Sequence, residues 1–153
     1  MFWKILLTLV VLFVVFNVLL LVWQNNRKPA LGVQENGELA PLSNKPNCVS
    51  SFAEGERAVA PLKMAASVEQ TKAAIESALK SLGNVDITQN DGTYIRAVAT
   101  TKLMRYKDDI ELLIDEASQQ VHYRSASRAG YSDMGVNKTR YETFAKHYNE
   151  AIK

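Results

Sequence analysis

Residues 109–127 have the sequence DIELLIDEASQQVHYRSAS, and this stretch decides the fold. Two segments, 109–115 and 120–127, alternate in the manner of β-strands on either side of the polar turn 116–119. If Asp115, the last residue of the first segment, pairs with Gln120, the first residue of the second, side chains of the same kind face each other. On one face the pairs are Ile114 with Val121, Leu112 with Tyr123, and Ile110 with Ser125; on the other they are Glu111 with Arg124 and Leu113 with His122. We therefore predict an antiparallel hairpin with one apolar face.

A second hairpin precedes this one and consists of the predicted strands 85–89 and 93–101. Its loop, residues 90–92, ends in Gly92, which favours a three-residue loop with the glycine in the left-handed region. In that register the facing pairs are Ile87 with Ile95, Val85 with Ala97, and Asp86 with Arg96. The alternative, a two-residue Asp-Gly turn, would place Ile87 opposite Arg96 and so mix apolar with charged positions.

Helical periodicity flanks the two hairpins. Ser67 with Gln70 has the form of a capping box, and Gly83 can end the helix that follows. Asn137 is expected to cap the last helix. The predicted apolar faces are Val68, Thr71, Ile75, Ala78, Leu79 and Leu82 in the first helix, and Tyr141, Phe144, Ala145, Tyr148 and Ile152 in the last. The order α-β-β-β-β-α predicts an α+β fold, with a four-stranded antiparallel sheet and helices packed on one face.

Residues 1–23 are predicted to form a transmembrane anchor. Residues 5–23 are uncharged, and a helix of this length spans roughly 28 Å, close to the thickness of the bilayer hydrocarbon. Trp3 and Trp23 stand near the two ends, where membrane interfaces favour aromatic rings. A signal peptide would have a shorter apolar region followed by small residues, and the sequence after Val22 offers no such site.

The remaining chain divides into a linker, residues 24–45, and an α+β domain, residues 46–153. The linker contains prolines and glycines without periodicity, and we expect it to let the domain stand off the membrane. A short N-terminal tail before a single span favours a cytosolic N-terminus. We therefore predict a single-pass protein of the inner, cytoplasmic membrane whose domain faces the periplasm or exterior.

Charge and composition exclude several classes of function. The chain has 18 basic and 16 acidic residues, and only Lys4 precedes the linker, so the rest carries 17 against 16. This balance argues against nucleic acid as a partner. A single cysteine, Cys48, excludes an intrachain disulfide, and two distant histidines give no metal-ligand pattern. We predict neither a metal nor a cofactor.

Two stretches together carry a family resemblance: residues 46–51, PNCVSS, and residues 124–137, RSASRAGYSDMGVN, with YKDDIE at 106–111 between them. The combination resembles the bacterial and plastid family catalogued as domain of unknown function 1499, over roughly residues 39–150. The resemblance implies a small exported or membrane-anchored domain without an established activity. Many relatives carry a Cys-Pro before the Pro-Asn-Cys element, where this chain has Leu42 and Ser43. A local disulfide there is therefore impossible in this chain.

The stretch from Arg124 to Arg140 is the predicted ligand site, because guanidinium groups, hydroxyls and helix N-terminal amides can hold phosphate or carboxylate. The candidate ligand-binding residues are Arg124, Ser125, Ser127, Arg128, Ser132, Asp133, Asn137 and Arg140. The alternative is a set of structural ion pairs that fasten the loop. Those pairs would be Arg124 with Glu111, Arg128 with Asp108 or Asp109, and Arg140 with Asp133.

Two further features carry weaker predictions. Cys48 with His122 or His147 could form a thiol nucleophile and its base, with Asp108 or Asp133 to orient the base. A lone cysteine in a turn is more often a small buried residue. Residues 102–107, KLMRYK, alternate basic with apolar groups and could touch an anionic membrane surface or a partner. An ordinary connector with Leu103 and Tyr106 buried is the favoured interpretation.

These observations favour a non-catalytic, membrane-tethered module that binds an unknown envelope protein or an anionic envelope ligand, with residues 5–23 in the membrane. One alternative is a thiol-dependent hydrolase or transferase that uses Cys48. The other is a purely structural assembly subunit.

Overall fold

The computed structural model describes all 153 residues and begins with one long apolar helix. Helix α1 extends over Phe2–Asn26, and its most apolar 18-residue window has a mean hydropathy of 3.2 with no residue buried. It is the one helix of the chain that is long and apolar enough to cross a membrane. The predicted apolar segment 5–23 lies wholly inside it.

The remainder is an α+β domain with an open antiparallel sheet, which confirms the predicted fold class. The strands are β1 Cys48–Ser50, β2 Leu62–Lys63, β3 Val85–Asp91, β4 Tyr94–Thr100, β5 Lys107–Asp115 and β6 Gln120–Ser127. Their order across the sheet is β1-β6-β5-β4-β3, and β2 pairs with another part of β6.

The sheet has six strands, where four were predicted. The two additional strands, β1 and β2, both pair with β6, so they satisfy main-chain groups on an edge that a four-stranded sheet would leave open. They are three and two residues long, too short to show an alternating pattern. The prediction therefore missed them because tertiary pairing, not local sequence, creates them.

The hairpin of β5 and β6 has the predicted register. Asp115 pairs with Gln120, and every pair predicted from residues 109–127 is present. Ile110, Leu112 and Tyr123 on the inner face are fully buried. The strongest period-2 pattern in the chain thus places its side chains correctly, since a shift by one residue would turn the apolar set outward.

The register predicted for β3 and β4 is wrong. Asp91 faces Tyr94 across a two-residue turn of Gly92 and Thr93, and Ile87 faces Ala97 instead of Ile95. The register shifts between Ile87 and Gln89, so an extra residue is absorbed by a bulge there. Gly92 has φ +55°, and a two-residue hairpin turn requires a positive φ at its first residue.

Two helices cover one face of the sheet. Helix α2, Val68–Ser81, begins as predicted, with the Ser67 side chain accepting a hydrogen bond from the amide of Gln70. Helix α3, Val136–Ala151, has the predicted apolar face, on which Tyr141, Phe144 and Tyr148 are buried. Both helices pack with the inner side of β3–β6 around one hydrophobic core.

The segment between α1 and β1 lies against the opposite, outer face of the sheet. Within this segment, the only β-type pairing is an isolated antiparallel bridge between Val33 and Leu39. Leu39 and Ala40 are buried, and the amide of Gly32 donates to Oε1 of Glu111 at 2.8 Å. The segment therefore does not hold the domain away from α1, contrary to the predicted stand-off, because it forms contacts with the sheet along its length.

Candidate functional site

A closed polar network joins the inner face of the sheet to α3. Arg140 donates to Oδ2 of Asp108 at 2.5 Å and to Oδ1 of Asn137 at 2.6 Å, and the Ser125 hydroxyl also donates to Asn137. Asp108, Ser125 and Asn137 are buried. Arg140 was expected to pair with Asp133, and that prediction is wrong, because Asp108 begins the inner face of β5 directly below the first turns of α3.

Asn137 is not the cap of α3, contrary to prediction. The carboxylate of Asp133 accepts hydrogen bonds from the amides of Gly135 at 3.2 Å and Asn137 at 2.7 Å, so it occupies the helix N-terminus. The Asn137 side chain instead donates to the carbonyl of Asn47 and to the Ser127 hydroxyl, both at 3.0 Å. The helix terminus is thus filled by a carboxylate of the chain itself.

A second ionic cluster lies on the outer face of the sheet. Asp109 accepts from Arg96 at 2.8 Å and from Arg128 at 2.7 and 2.8 Å, while Glu111 accepts from Arg124 at 2.9 Å. The pairs of Arg124 with Glu111 and of Arg128 with Asp109 are those predicted. Three guanidinium groups face two carboxylates here, so the cluster carries one net positive charge.

Arg96 was predicted to pair with Asp86 on the neighbouring strand, and it pairs with Asp109 on β5 instead. The changed register of β3 and β4 removes Asp86 from its side, since Asp86 faces Val98. On the same face the Tyr94 hydroxyl donates to Glu111 at 2.8 Å. Burial and the Glu111 carboxylate raise the pKa of Tyr94 above its usual range, so it stays a hydrogen-bond donor.

A cavity of about 290 Å³ opens between this cluster and the chain that leaves α1. Its lining residues are Gln24, Arg27, Pro29, Ala30, Leu31, Ser43, Asp109, Arg124, Ala126, Ser127 and Arg128. Three of them are arginines and one is an aspartate. The hydrogen bond to Asp109 raises the pKa of Arg128 further, so its charge is permanent.

Arg124, one of the residues that line the cavity, has one donor without a partner. Its side chain is 7% exposed, its Nη1 donates to Glu111, and its Nη2 donates to the carbonyl of Pro41 at 3.3 Å. Its Nε is buried and has no hydrogen-bond partner. Nε of Arg96 in the same outer cluster is likewise buried without a partner, so the carboxylates of this cluster do not satisfy every guanidinium donor.

The predicted site residues thus separate into two groups. Arg124 and Arg128 line the cavity on the outer side, and Ser127 borders it while its hydroxyl accepts from Asn137 in the inner network. Ser125, Asn137 and Arg140 belong to the inner network, where their polar groups are paired with one another. Ser132 and Asp133 cap the loop before α3. Successive residues of β6 point to opposite faces, so one continuous sequence motif supplies both groups.

Sequence reasoning missed Arg27 and Ser43 as members of the cavity wall. Arg27 follows the apolar helix α1 and carries no motif signal of its own. Only the folding of residues 27–43 across the sheet brings it near Arg124. The Arg27 guanidinium also lies 5.6 Å from the centre of the Trp23 ring.

Cys48 does not form a catalytic pair with His122. Cys48 faces Ala126 on β6, four residues beyond His122, which corresponds to roughly 13 Å along the strand. The thiol is 1% exposed and approaches the carbonyl of Lys45 at 3.2 Å and a guanidinium nitrogen of Arg57 at 3.7 Å. Its position is that of a small buried residue in the β1 edge.

We expect Cys48 to react with a thiol reagent at least about a hundredfold more slowly in the folded chain than in denaturant, because the sulfur is enclosed. The rate with a chromogenic disulfide measures this. Ala117→Cys in a Cys48→Ala background supplies an exposed reference thiol on the β5–β6 turn. Equal rates for the two folded variants would contradict the assignment.

His122 is held in a structural contact. Its Nδ1 lies 3.2 Å from the Ser51 hydroxyl, and its ring stacks on Phe52 with centroids 4.2 Å apart. The same hydroxyl accepts from the amide of Tyr123 at 3.0 Å and is 3.3 Å from its carbonyl oxygen. Ser51 is therefore engaged by the main chain of β6, and the arrangement fastens β1 to the sheet.

Burial lowers the pKa of His122 below its usual 6.5, because the charged ring loses solvation. The unfolded chain then binds a proton at a higher pH than the folded chain. Acidification from about pH 7 to pH 5 should therefore lower the free energy of unfolding. We expect His122→Gln to remove part of this slope in denaturation measured by circular dichroism at the two pH values. An unchanged slope would contradict the prediction.

No group of three or more His, Cys, Asp and Glu side chains is placed to hold a metal ion. The two acidic residues of the outer cluster, Asp109 and Glu111, are each occupied by arginine. The chemistry of both clusters is therefore that of guanidinium groups with oxygen acceptors.

The two stretches that carry the family resemblance meet in space at this site. Asn47 donates to the carbonyl of Gly130 at 3.2 Å, and its own carbonyl accepts from Asn137. The family model described as "Protein of unknown function (DUF1499)" matches residues 38–147. The chain belongs to this family. No match was found among curated proteins or among solved structures.

The match to the DUF1499 family runs from just before Leu39 to within α3 and includes all six strands. Arg124 and Arg128 lie inside the matched region, whereas α1 and Arg27 precede it. The cavity is therefore formed jointly by the family domain and the chain that connects it to α1.

Proposed function

We propose that this protein is a membrane-anchored, non-catalytic binding domain that holds an anionic group between Arg27, Arg124 and Arg128. The observation that carries the proposal is the cavity at the end of α1, with three guanidinium groups against the single carboxylate of Asp109. A phosphate or carboxylate oxygen in this space would meet the guanidinium groups that line it.

The electrostatics of the cavity favour an anion over a neutral ligand. Arg124 and Arg128 are each 7% exposed at the side chain, so solvent screens their charges only weakly. Asp109 is shared by Arg128 and Arg96, and Arg27 has no carboxylate partner in the wall. Arginine forks match the oxygen geometry of carboxylate and phosphate groups.

The membrane helix gives the proposed site its location. With α1 as a single-pass anchor, the cavity lies beside the last turn of the span, at the level of the lipid head groups. We assign the anchor to the cytoplasmic membrane and the domain to the exported side. A reporter enzyme fused after Lys153, active only in the exported compartment, tests this orientation, and cytosolic activity would reverse it.

Arg27→Ala is expected to weaken the binding of inorganic phosphate to the full-length chain in neutral detergent by about tenfold, equal to about 1.4 kcal/mol. Arg27 is exposed and makes no ion pair, so its loss should leave the fold intact. Titration calorimetry measures the affinity, and a short-chain phosphatidic acid in a second arm distinguishes a lipid head group from free phosphate.

Lys28→Ala is the matched control, because it removes an adjacent exposed charge that does not line the cavity. We expect it to change the affinity by less than about twofold. Absence of saturable binding by the wild type for both probes, or equal losses in the two variants, would refute the proposed function.

A purely structural role is the second candidate, since the inner network and most of the outer cluster are paired within the chain. It predicts that neither phosphate probe binds and that crosslinking captures a self-associated resting state. A thiol-dependent enzyme is disfavoured by the enclosed position of Cys48 and its separation from His122.

A further inference from the structure

We propose that the tips of two loops, residues 102–105 and 131–134, insert into the interface of the same bilayer that α1 crosses, so that the domain lies on the membrane in one fixed orientation. This inference rests on the membrane anchoring put forward under the proposed function. It adds a second membrane contact that is independent of the anion cavity. We call these two segments the loop tips.

The loop tips expose apolar side chains that nothing in the chain covers. Leu103 is 88% exposed and Met104 is 63% exposed, which overturns the expectation that Leu103 would be buried in a connector. Tyr131 and Met134, in the loop before α3, are 72% and 97% exposed. After α1, these are the four most exposed large apolar side chains of the chain.

The two loops lie side by side. Lys102 and Met134 line the same groove, and the amide of Arg128 donates to the carbonyl of Lys107 at 3.0 Å where β6 runs beside β5. Both loops therefore lie at the same end of the sheet, and their exposed apolar side chains emerge from that end.

That end of the domain is attached to the end of the membrane helix. The Asn25 side chain donates to the carbonyl of Arg105 at 2.8 Å and accepts from the amide of Lys107 at 2.7 Å. The Lys107 ammonium also donates to the Asn26 side chain at 3.0 Å. Leu103 is two residues from this contact, so its Cα lies within about 8 Å of the Cα of Arg105.

The length of α1 places this attachment at the membrane surface. A helix of 25 residues is about 37 Å long, which exceeds the hydrocarbon thickness of roughly 30 Å. Its last turn, with Asn25 and Asn26, therefore lies among the lipid head groups. The loop tips begin at that depth, and exposed leucine and methionine gain free energy when they leave water there.

The charges of the loop support a lipid surface as the occupant. Lys102, Arg105 and Lys107 alternate with the apolar residues, and residues 101–107 contain no acidic side chain. Arg27 and Lys28 add two cations at the end of α1. Apolar tips flanked by lysine and arginine suit an interface that contains anionic lipid, where each basic residue near the surface adds attraction.

Fluorescence quenching in vesicles tests the depth of the loop tips. The full-length chain, with Cys48→Ala and Leu103→Cys, is labelled with an environment-sensitive dye and reconstituted into phosphatidylcholine vesicles with about a third phosphatidylglycerol. The control is Ala117→Cys in the same background. It lies on the turn at the other end of β5, about 27 Å away along the strand.

We expect a dye at residue 103 to be quenched by lipids brominated in the acyl chain and shielded at least about fivefold from aqueous iodide compared with residue 117, because an interfacial position excludes the ion. A second variant tests the other loop tip, with the dye attached at Tyr131→Cys. Adding Leu103→Asp and Met104→Asp to that chain should reduce the quenching of the dye by the brominated acyl chains. Equal iodide quenching at 103 and 117 would overturn the proposal, and so would tips that become shielded only when a protein partner is added.

Failure of the anchor is detected separately. Resistance of the chain to alkaline extraction from the vesicles reports on α1 alone. If the chain resists extraction while residue 103 stays in water, the proposed insertion of the loop tips is wrong and the membrane anchor is supported. A chain that is extracted contradicts the anchor itself, and with it the inference that depends on it.

Discussion

Asp109→Ala is expected to lower the free energy of unfolding by about 3–5 kcal/mol, which is the range for removing one partner of a buried ion pair. The Asp109 side chain is 2% exposed and accepts from both Arg96 and Arg128. Without it, two guanidinium groups face each other across β4, β5 and β6 with no carboxylate between them. Chemical denaturation of the full-length chain in neutral detergent measures the loss.

Both tryptophans lie in α1, so tryptophan signals do not report on unfolding of the domain. The tyrosine signals in the near-ultraviolet circular dichroism spectrum follow the unfolding instead. Asp86→Ala is the matched control, since it removes an exposed aspartate from a strand of the same sheet. We expect that variant to stay within about 0.5 kcal/mol of the wild type. A similar small effect of Asp109→Ala would show that the outer ionic cluster contributes little to stability.

Asn137→Ala is expected to destabilise the domain by about 3 kcal/mol, more than the loss of an ordinary helix cap, because it leaves several buried polar groups unpaired. Its side chain donates to Asn47 and Ser127 and accepts from Ser125 and Arg140. It therefore connects β1, β6 and α3 at once. The same denaturation experiment measures the effect.

Asp133→Ala separates this role from capping. Asp133 accepts from the amides at the start of α3, and its removal should cost about 1 kcal/mol, typical of a cap. If Asn137→Ala cost no more than Asp133→Ala, the buried network would be weaker than its geometry indicates. The sequence-based expectation, in which Asn137 is only the cap, predicts a loss of about 1 kcal/mol for Asn137→Ala.

The sequence predicted those parts of the fold that depend on local periodicity. The register of β5 and β6, the Ser67 cap and the buried face of α3 all follow from the spacing of apolar residues. The family followed from two short stretches, which the structure joins through Asn47, Gly130 and Asn137.

Long-range pairing limited the prediction elsewhere. The turn at Gly92 and Thr93 moved Arg96 away from Asp86, and the bulge between Ile87 and Gln89 only partly offsets that shift. Nothing in the strand β3 signals either feature. Arg140 had a sequence neighbour in Asp133 and a spatial neighbour in Asp108, and only packing of α3 on β5 selects the second. The strands β1 and β2 exist because β6 offers them an edge.

The sequence by itself determined the apolar helix, the α+β class and the run from Arg124 to Arg128 at the end of β6, because each depends on residue type and spacing along the chain. The tertiary structure alone decided which arginines share a cavity. Alternation along β6 sends Arg124 and Arg128 outward and Ser125 inward. The chain after α1 then folds back over the outer face and brings Arg27 to them. Contacts between residues so distant in sequence depend on the packed shape of the whole chain, which local patterns do not encode.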